Sequence, residues 1–116
     1  MRAILAILFF LGLVQPAFAA ASFEEAAALY DDKDYTTARS IAEPLAEAGD
    51  ARAMAMLGTI YEKGLGTTVN LDTAIGWYTK AAEKNHVSAQ FALGMIYLDG
   101  SLGAINYEQG AGWVTK

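Results

Sequence analysis

The sequence has 116 residues, of which 54% are hydrophobic, and it carries a formal net charge of −5 and no cysteine. The missing cysteine excludes a disulfide framework, a thiol nucleophile, a lipid-attachment cysteine and a thiolate metal site. The acidic balance argues against a nucleic acid partner, because a negative surface repels phosphate backbones.

Residues 1–19 are predicted to be a signal peptide that is cleaved after Ala19. Arg2 supplies a positive start, residues 3–14 are apolar apart from Gly12, and Ala17 and Ala19 are the small residues expected at positions −3 and −1 of a cleavage site. A helix of twelve residues spans about 18 Å, which is too short for a hydrocarbon core of ~30 Å. We therefore expect no stable membrane anchor after cleavage and a periplasmic or secreted mature protein.

Residues 22–49 are predicted to form a first helix pair, as a degenerate unit. Ser22 and Glu25 form a capping box at the start of its first helix. The inner face of that helix is predicted to consist of Ala26, Leu29 and Tyr30. Residues 31–34 are three aspartates and a lysine, which predicts a solvated turn. The second helix has an apolar stripe at helical spacing, formed by Ala38, Ile41, Ala42 and Leu45.

The strongest signal is an internal repeat. Residues 50–80 and 86–116, aligned at an offset of 36, are identical at 11 of 31 positions. Repeats of 20–50 residues are typical of stacked helix pairs. The identical pairs include Ala53 and Ala89, Leu57 and Leu93, Gly58 and Gly94, Tyr61 and Tyr97, Gly64 and Gly100, and Trp77 and Trp113. The sequence thus predicts one repeat over 50–85 and a second over 86–116 that is incomplete at its C-terminus.

Each repeat is predicted to contain two helices, and the identical residues are its structural positions. Asp50 caps the first helix, Gly58 lets a neighbouring helix approach closely, and Gly64 ends the helix in the left-handed conformation. Asn70 caps the second helix, and Asn85 ends it. The second helix has an apolar stripe of Ala74, Trp77, Tyr78, Ala81 and Ala82, and Trp77 and Trp113 are expected to wedge between successive helix pairs.

At these residues the chain resembles the Sel-one-like repeat family, a relative of the tetratricopeptide repeats. The resemblance rests on Asp50 to Ala53, Leu57-Gly58, Tyr61, Gly64-Leu65-Gly66, Ala74, Trp77-Tyr78 and Ala81-Ala82. It implies an all-α fold, an α-solenoid of stacked antiparallel helix pairs. It also implies an interaction scaffold whose concave face, lined by the first helix of each pair, binds a protein or peptide. Exported bacterial members are associated with envelope assembly, regulation and host contact.

The same resemblance implies that partner contacts come from first-helix residues on the concave face, which point away from Leu57 and Tyr61. These candidates are Arg52, Met56, Thr59, Lys63, Ser88, Ala92, Met95 and Asp99. Residues 88–98 leave little polar face, which predicts either a helix sandwiched by later repeats or a sticky surface.

No catalytic residue, cofactor or metal site is predicted. His86, the one histidine, is interpreted as a helix cap. Gly64-Leu65-Gly66 is interpreted as a repeat turn, because it lacks the third glycine of a dinucleotide-binding loop and follows a helix. The carboxylates at 32–43 do not form a calcium loop, because Thr37 stands where such a loop needs glycine.

Two alternatives remain open at this point. The first is a β-lactamase-like or cell-wall-acting enzyme, although the cysteine-rich relatives described as β-lactamases have a disulfide in each repeat. The second is a structural or regulatory segment of a larger envelope protein. The last unit stops at Lys116, short of a complete second helix, which favours a piece of a longer protein.

Overall fold

The computed structural model describes residues 21–100 and 107–114, and the predicted signal peptide lies outside them. Over these residues the chain forms α-helices and no strand. The helices are α1 (Phe23–Asp31), α2 (Tyr35–Glu47), α3 (Ala51–Lys63), α4 (Leu71–Glu83), α5 (Val87–Leu98) and α6 (Tyr107–Val114). The predicted all-α fold is confirmed.

Helices α1 to α5 each begin at a residue whose side chain accepts a hydrogen bond from a backbone N–H of the first turn. The capping residues are Ser22, Asp34, Asp50, Asn70 and His86. Such a bond satisfies one of the backbone donors that a helix start leaves without an intrahelical acceptor. The caps predicted at Ser22, Asp50, Asn70 and His86 are therefore confirmed.

Two predicted helix ends are also confirmed. Gly64 follows α3 with a φ of 68°, in the left-handed region that glycine adopts without strain. Asn85 has a φ of 67° and directly precedes the cap of α5. Asparagine is one of the residues that tolerate this conformation. These short reversals place each helix antiparallel to the helix before it.

The end of α5 departs from the repeat by one residue. Gly100 has a φ of 76°, in the same left-handed region as its equivalent Gly64. However, α5 already ends at Leu98 and its C-cap is Asp99, whereas α3 continues to Lys63 and is capped by Gly64 itself. The glycine therefore keeps its backbone conformation in both repeats, but in the second it lies one position beyond the cap.

The helices stack as three pairs, α1/α2, α3/α4 and α5/α6. Each helix packs against its neighbours in the chain, and α3 also touches α5. The first helices of successive pairs, α1, α3 and α5, therefore follow one another along one side of the stack. This is the solenoid that the repeat predicts.

The core consists of many alanines and a few large aliphatic side chains. The largest fully buried side chains are Leu57, Ile60, Leu93 and Ile96, which are two pairs at the repeat offset of 36. Buried alanines let the helix backbones approach each other, and the large residues fill the remaining space.

The small repeat residues of α5 lie in the same core positions as those of α3. Ala89 is fully buried, like its equivalent Ala53. Gly94 is buried on α5, like Gly58 on α3. A Cβ atom placed on Gly110 of α6 would come within 2.9 Å of the carbonyl oxygen of Gly94. In the last pair the two helix backbones thus approach each other at a glycine from each helix.

The aromatic repeat residues are less buried than the small ones. Tyr61 and its equivalent Tyr97 are half-buried and pack against the edge of the core, rather than lying within it. Trp77 and Trp113 have the same half-buried character. The ring of Trp77 also has the Lys80 Nζ atom 4.9 Å from its centroid. The tyrosine of each first helix and the tryptophan of each second helix therefore cover the core from the side.

Candidate functional site

A concave groove of about 400 Å³ lies along the first helices of the three pairs. Residues of α1 and α3 line it, together with His86, the residue that caps α5. Its lining residues are Phe23, Tyr30, Arg52, Ala55, Met56, Thr59 and His86. The groove thus has an aromatic and aliphatic floor with hydroxyl, guanidinium and imidazole groups among the lining side chains.

Three of the eight predicted partner contacts meet in this groove. Arg52, Met56 and Thr59 lie on one face of α3 and all line it. Spacings of three and four residues place side chains on the same face of a helix, which is why they converge.

The other five predicted contacts do not line the groove. Lys63 is exposed in the last turn of α3, and Asp99 is exposed at the C-cap of α5. Ser88 and Met95 are exposed on α5, whereas Ala92 is half-buried against the core. Whether any of the eight binds a partner stays a prediction.

The guanidinium of Arg52 is held by two carboxylates and an aromatic ring. Its Nη1 lies 2.9 Å from Glu24 Oε2, and its Nη2 lies 3.1 Å from Asp50 Oδ2. The guanidinium carbon lies 4.6 Å from the centroid of the Phe23 ring, within the range of a cation–π contact. These contacts join α1 to α3 at the edge of the groove.

The contacts of Arg52 shift the pKa values of Asp50 and of Arg52 itself. The hydrogen bond from the Arg52 side chain lowers the pKa of Asp50, and the N-cap bonds from the backbone N–H groups of Arg52 and Ala53 lower it further. The hydrogen bond to Asp50 raises the pKa of Arg52. Asp50 and Glu24 are two acidic groups to one guanidinium, so these three side chains together carry a net negative charge.

The hydroxyl of Thr59 takes part in a network below the groove. Its Oγ1 lies 3.0 Å from the Tyr78 hydroxyl, which donates to Glu62 Oε1 at 2.8 Å. Burial raises the pKa of Tyr78, so the phenol stays protonated and can donate at neutral pH. The network fixes Thr59 relative to α4.

Sequence reasoning missed Phe23, Tyr30, Ala55 and His86 as groove residues. Ala55 lies four residues before Thr59, on the same face of α3, so the same projection could have found it. Tyr30 is predicted on the inner face of α1, but it is half-buried and packs edge-on against Tyr35, with ring centroids 5.2 Å apart. Burial raises the pKa of Tyr30, and the neighbouring Tyr35 and Asp31 raise it further.

Helix α5 has both buried and exposed apolar side chains. Leu93 and Ile96 are buried in the core, whereas Val87, Phe91 and Met95 are exposed. One face of α5 therefore packs within the solenoid, and another presents apolar side chains on the surface.

Two kinds of feature are missing from the residues that the structure describes, a metal-binding cluster and a membrane-spanning helix. They contain no group of three or more histidine or acidic side chains close enough to hold a metal ion. None of the helices at 21–100 and 107–114 combines the length and the apolar character that a membrane crossing requires.

Comparisons with known proteins agree with this architecture. The profile of the family described as the Sel1 repeat matches residues 51–86 and 87–116. A protective antigen present in uropathogenic Escherichia coli strains, described as displaying an SLR fold, superposes with a TM-score of 0.76 and 34% identity over 80% of this chain. A Sel1 repeat protein from Oxalobacter formigenes superposes with a TM-score of 0.72 and 32% identity over 78% of this chain. The matched regions span 21% and 36% of those two chains, and no curated protein matches.

Proposed function

This chain belongs to the Sel1 repeat family, a family of repeat scaffolds that often mediate protein–protein interactions, and we propose that it is an exported member that binds a protein or peptide partner. The groove along α1, α3 and the start of α5 is the proposed binding site. In this proposal the chain performs no catalysis, and its role lies in the bacterial envelope.

One observation carries the proposal. The groove is formed by the first helices of consecutive pairs, and its lining combines aromatic, thioether and hydroxyl groups. Concave sites with an apolar floor and a few polar groups suit the binding of an extended or helical segment. The superhelical stacking of repeats generates such surfaces without any catalytic constellation.

The binding site is tested by crosslinking in cells. A photoreactive phenylalanine analogue at Ala55, in the groove, is compared with the same analogue at Val69, an exposed loop position with 63% exposure. We expect discrete crosslinked products from position 55 that are missing from position 69. Equal products from both positions, or none from position 55, would refute the groove as the site.

Export is tested by fractionation and mass measurement. We expect the protein in the periplasm or the medium with residues 1–19 removed, because the leader has the pattern of a signal peptide. Uncleaved protein in the cytoplasm would refute that part of the proposal.

The lack of catalysis is tested with the purified protein on nitrocefin and on muropeptides. We expect no turnover. Turnover that disappears when the groove residue Tyr30 is changed to Phe would replace the scaffold with the enzyme alternative.

A further inference from the structure

Helix α5 carries a continuous exposed apolar stripe. Val87, Phe91 and Met95 follow one another at intervals of four residues and are 74%, 58% and 43% exposed. Along a helix this spacing covers about 12 Å on one face. We call these three residues the apolar stripe.

The internal repeat indicates which side of the solenoid the apolar stripe faces. At the offset of 36, its equivalents in α3 are Ala51, Ala55 and Thr59. Ala55 and Thr59 line the concave groove. The apolar stripe therefore occupies the concave positions of the third helix pair.

The comparison of α5 with α3 also indicates that a further repeat would not cover the apolar stripe. The pair α3/α4 is already followed by the stacked pair α5/α6, and yet Ala55 and Thr59 remain in the open groove. A further pair stacked in the same way would leave Phe91 and Met95 on the concave side.

The apolar stripe begins next to the groove. His86 lines the groove and directly precedes Val87, the first residue of the stripe. The concave positions that are small in α3 are large and apolar in α5. Large apolar side chains exposed together typically mark an interaction surface, and aromatic residues dominate the energetics of such surfaces.

The charges indicate the chemistry of the partner. The sequence has 13 acidic residues against 8 basic ones, and one of the basic residues, Arg2, belongs to the predicted leader. Beside the groove, Arg52 is paired with both Glu24 and Asp50, which leaves these three side chains with a net negative charge. Apolar contact area beside an acidic edge is complementary to an apolar segment that carries positive charge.

Resting on the proposed function, we propose that the apolar stripe and the groove bind one amphipathic, cationic segment of a partner protein. Apolar side chains of that segment pack against Phe91 and Met95. Its lysine or arginine side chains lie toward the acidic edge formed by Glu24 and Asp50.

Two synthetic peptides test this proposal. One is a fluorescein-labelled leucine–lysine peptide, and the other has glutamate in place of every lysine and the same leucines. Fluorescence anisotropy with the purified protein should give a Kd about tenfold or more lower for the lysine peptide, with the gap narrowing as salt is added.

Substitutions in the apolar stripe test whether the lysine peptide binds there or only to the acidic surface as a whole. Phe91→Ser and Met95→Ser should each raise the Kd of the lysine peptide about fivefold or more, because each removes apolar contact area. Val69→Ser is the matched control, because Val69 is also exposed but lies in the loop before α4. It should leave the Kd unchanged, and all three variants should keep the unfolding midpoint of the parent protein.

Several outcomes would overturn the proposal. Equal or tighter binding of the glutamate peptide refutes the charge assignment, and equal effects of Phe91→Ser and Val69→Ser refute the apolar stripe. Sedimentation that shows a dimer dissociated by Phe91→Ser identifies a second copy as the occupant instead. If crosslinking from position 55 captures a partner equally well in the Phe91→Ser variant, the proposed function stands and this inference falls.

Discussion

The ring of Tyr78 lies directly against the backbone of Gly58. A Cβ atom placed on Gly58 would come within 2.6 Å of the ring atoms Cδ1 and Cε1 of Tyr78. Tyr78 is only 3% exposed, so the ring is enclosed between α3 and α4. The prediction that Gly58 permits the close approach of a neighbouring helix is therefore confirmed.

Gly58→Ala should destabilise the protein. A ring enclosed in the core and bonded through its hydroxyl has little room to move. Overpacking typically costs about 1–3 kcal/mol, whereas alanine gains only about 1 kcal/mol in helix propensity. We expect a net loss of about 1 kcal/mol in the free energy of unfolding, measured by urea denaturation.

Gly76→Ala is the matched control and should have the opposite effect. Gly76 is exposed in α4, and a Cβ atom placed on it meets nothing within 4 Å. Only the helix propensity changes, which predicts a gain of about 0.5–1 kcal/mol in the same denaturation experiment. If Gly58→Ala also raised the free energy of unfolding, the packing of Tyr78 against Gly58 would not be tight.

Tyr78→Phe should cost about 1–2 kcal/mol, because it removes a hydrogen bond to a partly buried carboxylate and leaves Thr59 without this partner. Thermal unfolding measures the loss. Tyr61→Phe is the control, because the half-buried Tyr61 also packs against the core but its hydroxyl has no hydrogen bond to the described residues. Equal losses in the two variants would show that the network around Thr59 contributes nothing to stability.

The fold was predictable from the sequence because its signals are local. The caps at Asp50 and Asn70 and the left-handed end at Gly64 each depend on residues within one turn of the helix end. The repeat then places Leu57 and Leu93 in equivalent core positions. The repeat offset of 36 residues therefore predicted both helices of a pair and the stacking of successive pairs.

The groove was only partly predictable, because its two sides come from different helix pairs. Arg52 and Met56 follow from the periodicity of α3 alone. The contact between Arg52 and Glu24 joins residues 28 positions apart, and no spacing within one helix indicates it. Phe23 and His86 line the groove because the helix pairs stack on one another. The sequence predicts the order of the pairs, but it does not show which side chains meet between them.

The stability should depend on pH through Asp50. Hydrogen bonds from Arg52 and the helix start lower the pKa of Asp50 in the folded state. A carboxylate with a lowered pKa stabilises the fold fully above its unfolded pKa of about 4, and this contribution is lost as pH falls through the lower folded pKa. We expect stability to fall with acidification below about pH 4 partly for this reason.

Asp50→Asn isolates this contribution, because asparagine also caps helices but does not titrate in this range. The unfolding midpoints of the two proteins should differ at pH 7 and converge as the pH is lowered below about 4. A difference that stays constant over this range would mean that the charge of Asp50 adds nothing to its role as a cap.

Gln90 offers a test of a buried polar contact between α5 and α4. It is only 7% exposed, and its Nε2 donates to the carbonyl of Ala82 at 3.1 Å. The equivalent residue in α3 is Met54, which is 6% exposed, so the repeat accepts an apolar side chain at this position. The Ala82 carbonyl also accepts a bond from the Asn85 N–H at 2.9 Å.

Gln90→Met should therefore change the free energy of unfolding by less than about 1 kcal/mol, because removal of the amide leaves the carbonyl of Ala82 with one donor. Gln90→Glu should cost about 2 kcal/mol or more at pH 7, because it buries a carboxylate facing a carbonyl oxygen. Lowering the pH to protonate the glutamate should recover part of that loss. Chemical denaturation of both variants at pH 7 and pH 4 measures these differences. If Gln90→Met proved as damaging as Gln90→Glu, the hydrogen bond to Ala82 rather than the shape of the side chain would hold α5 against the end of α4.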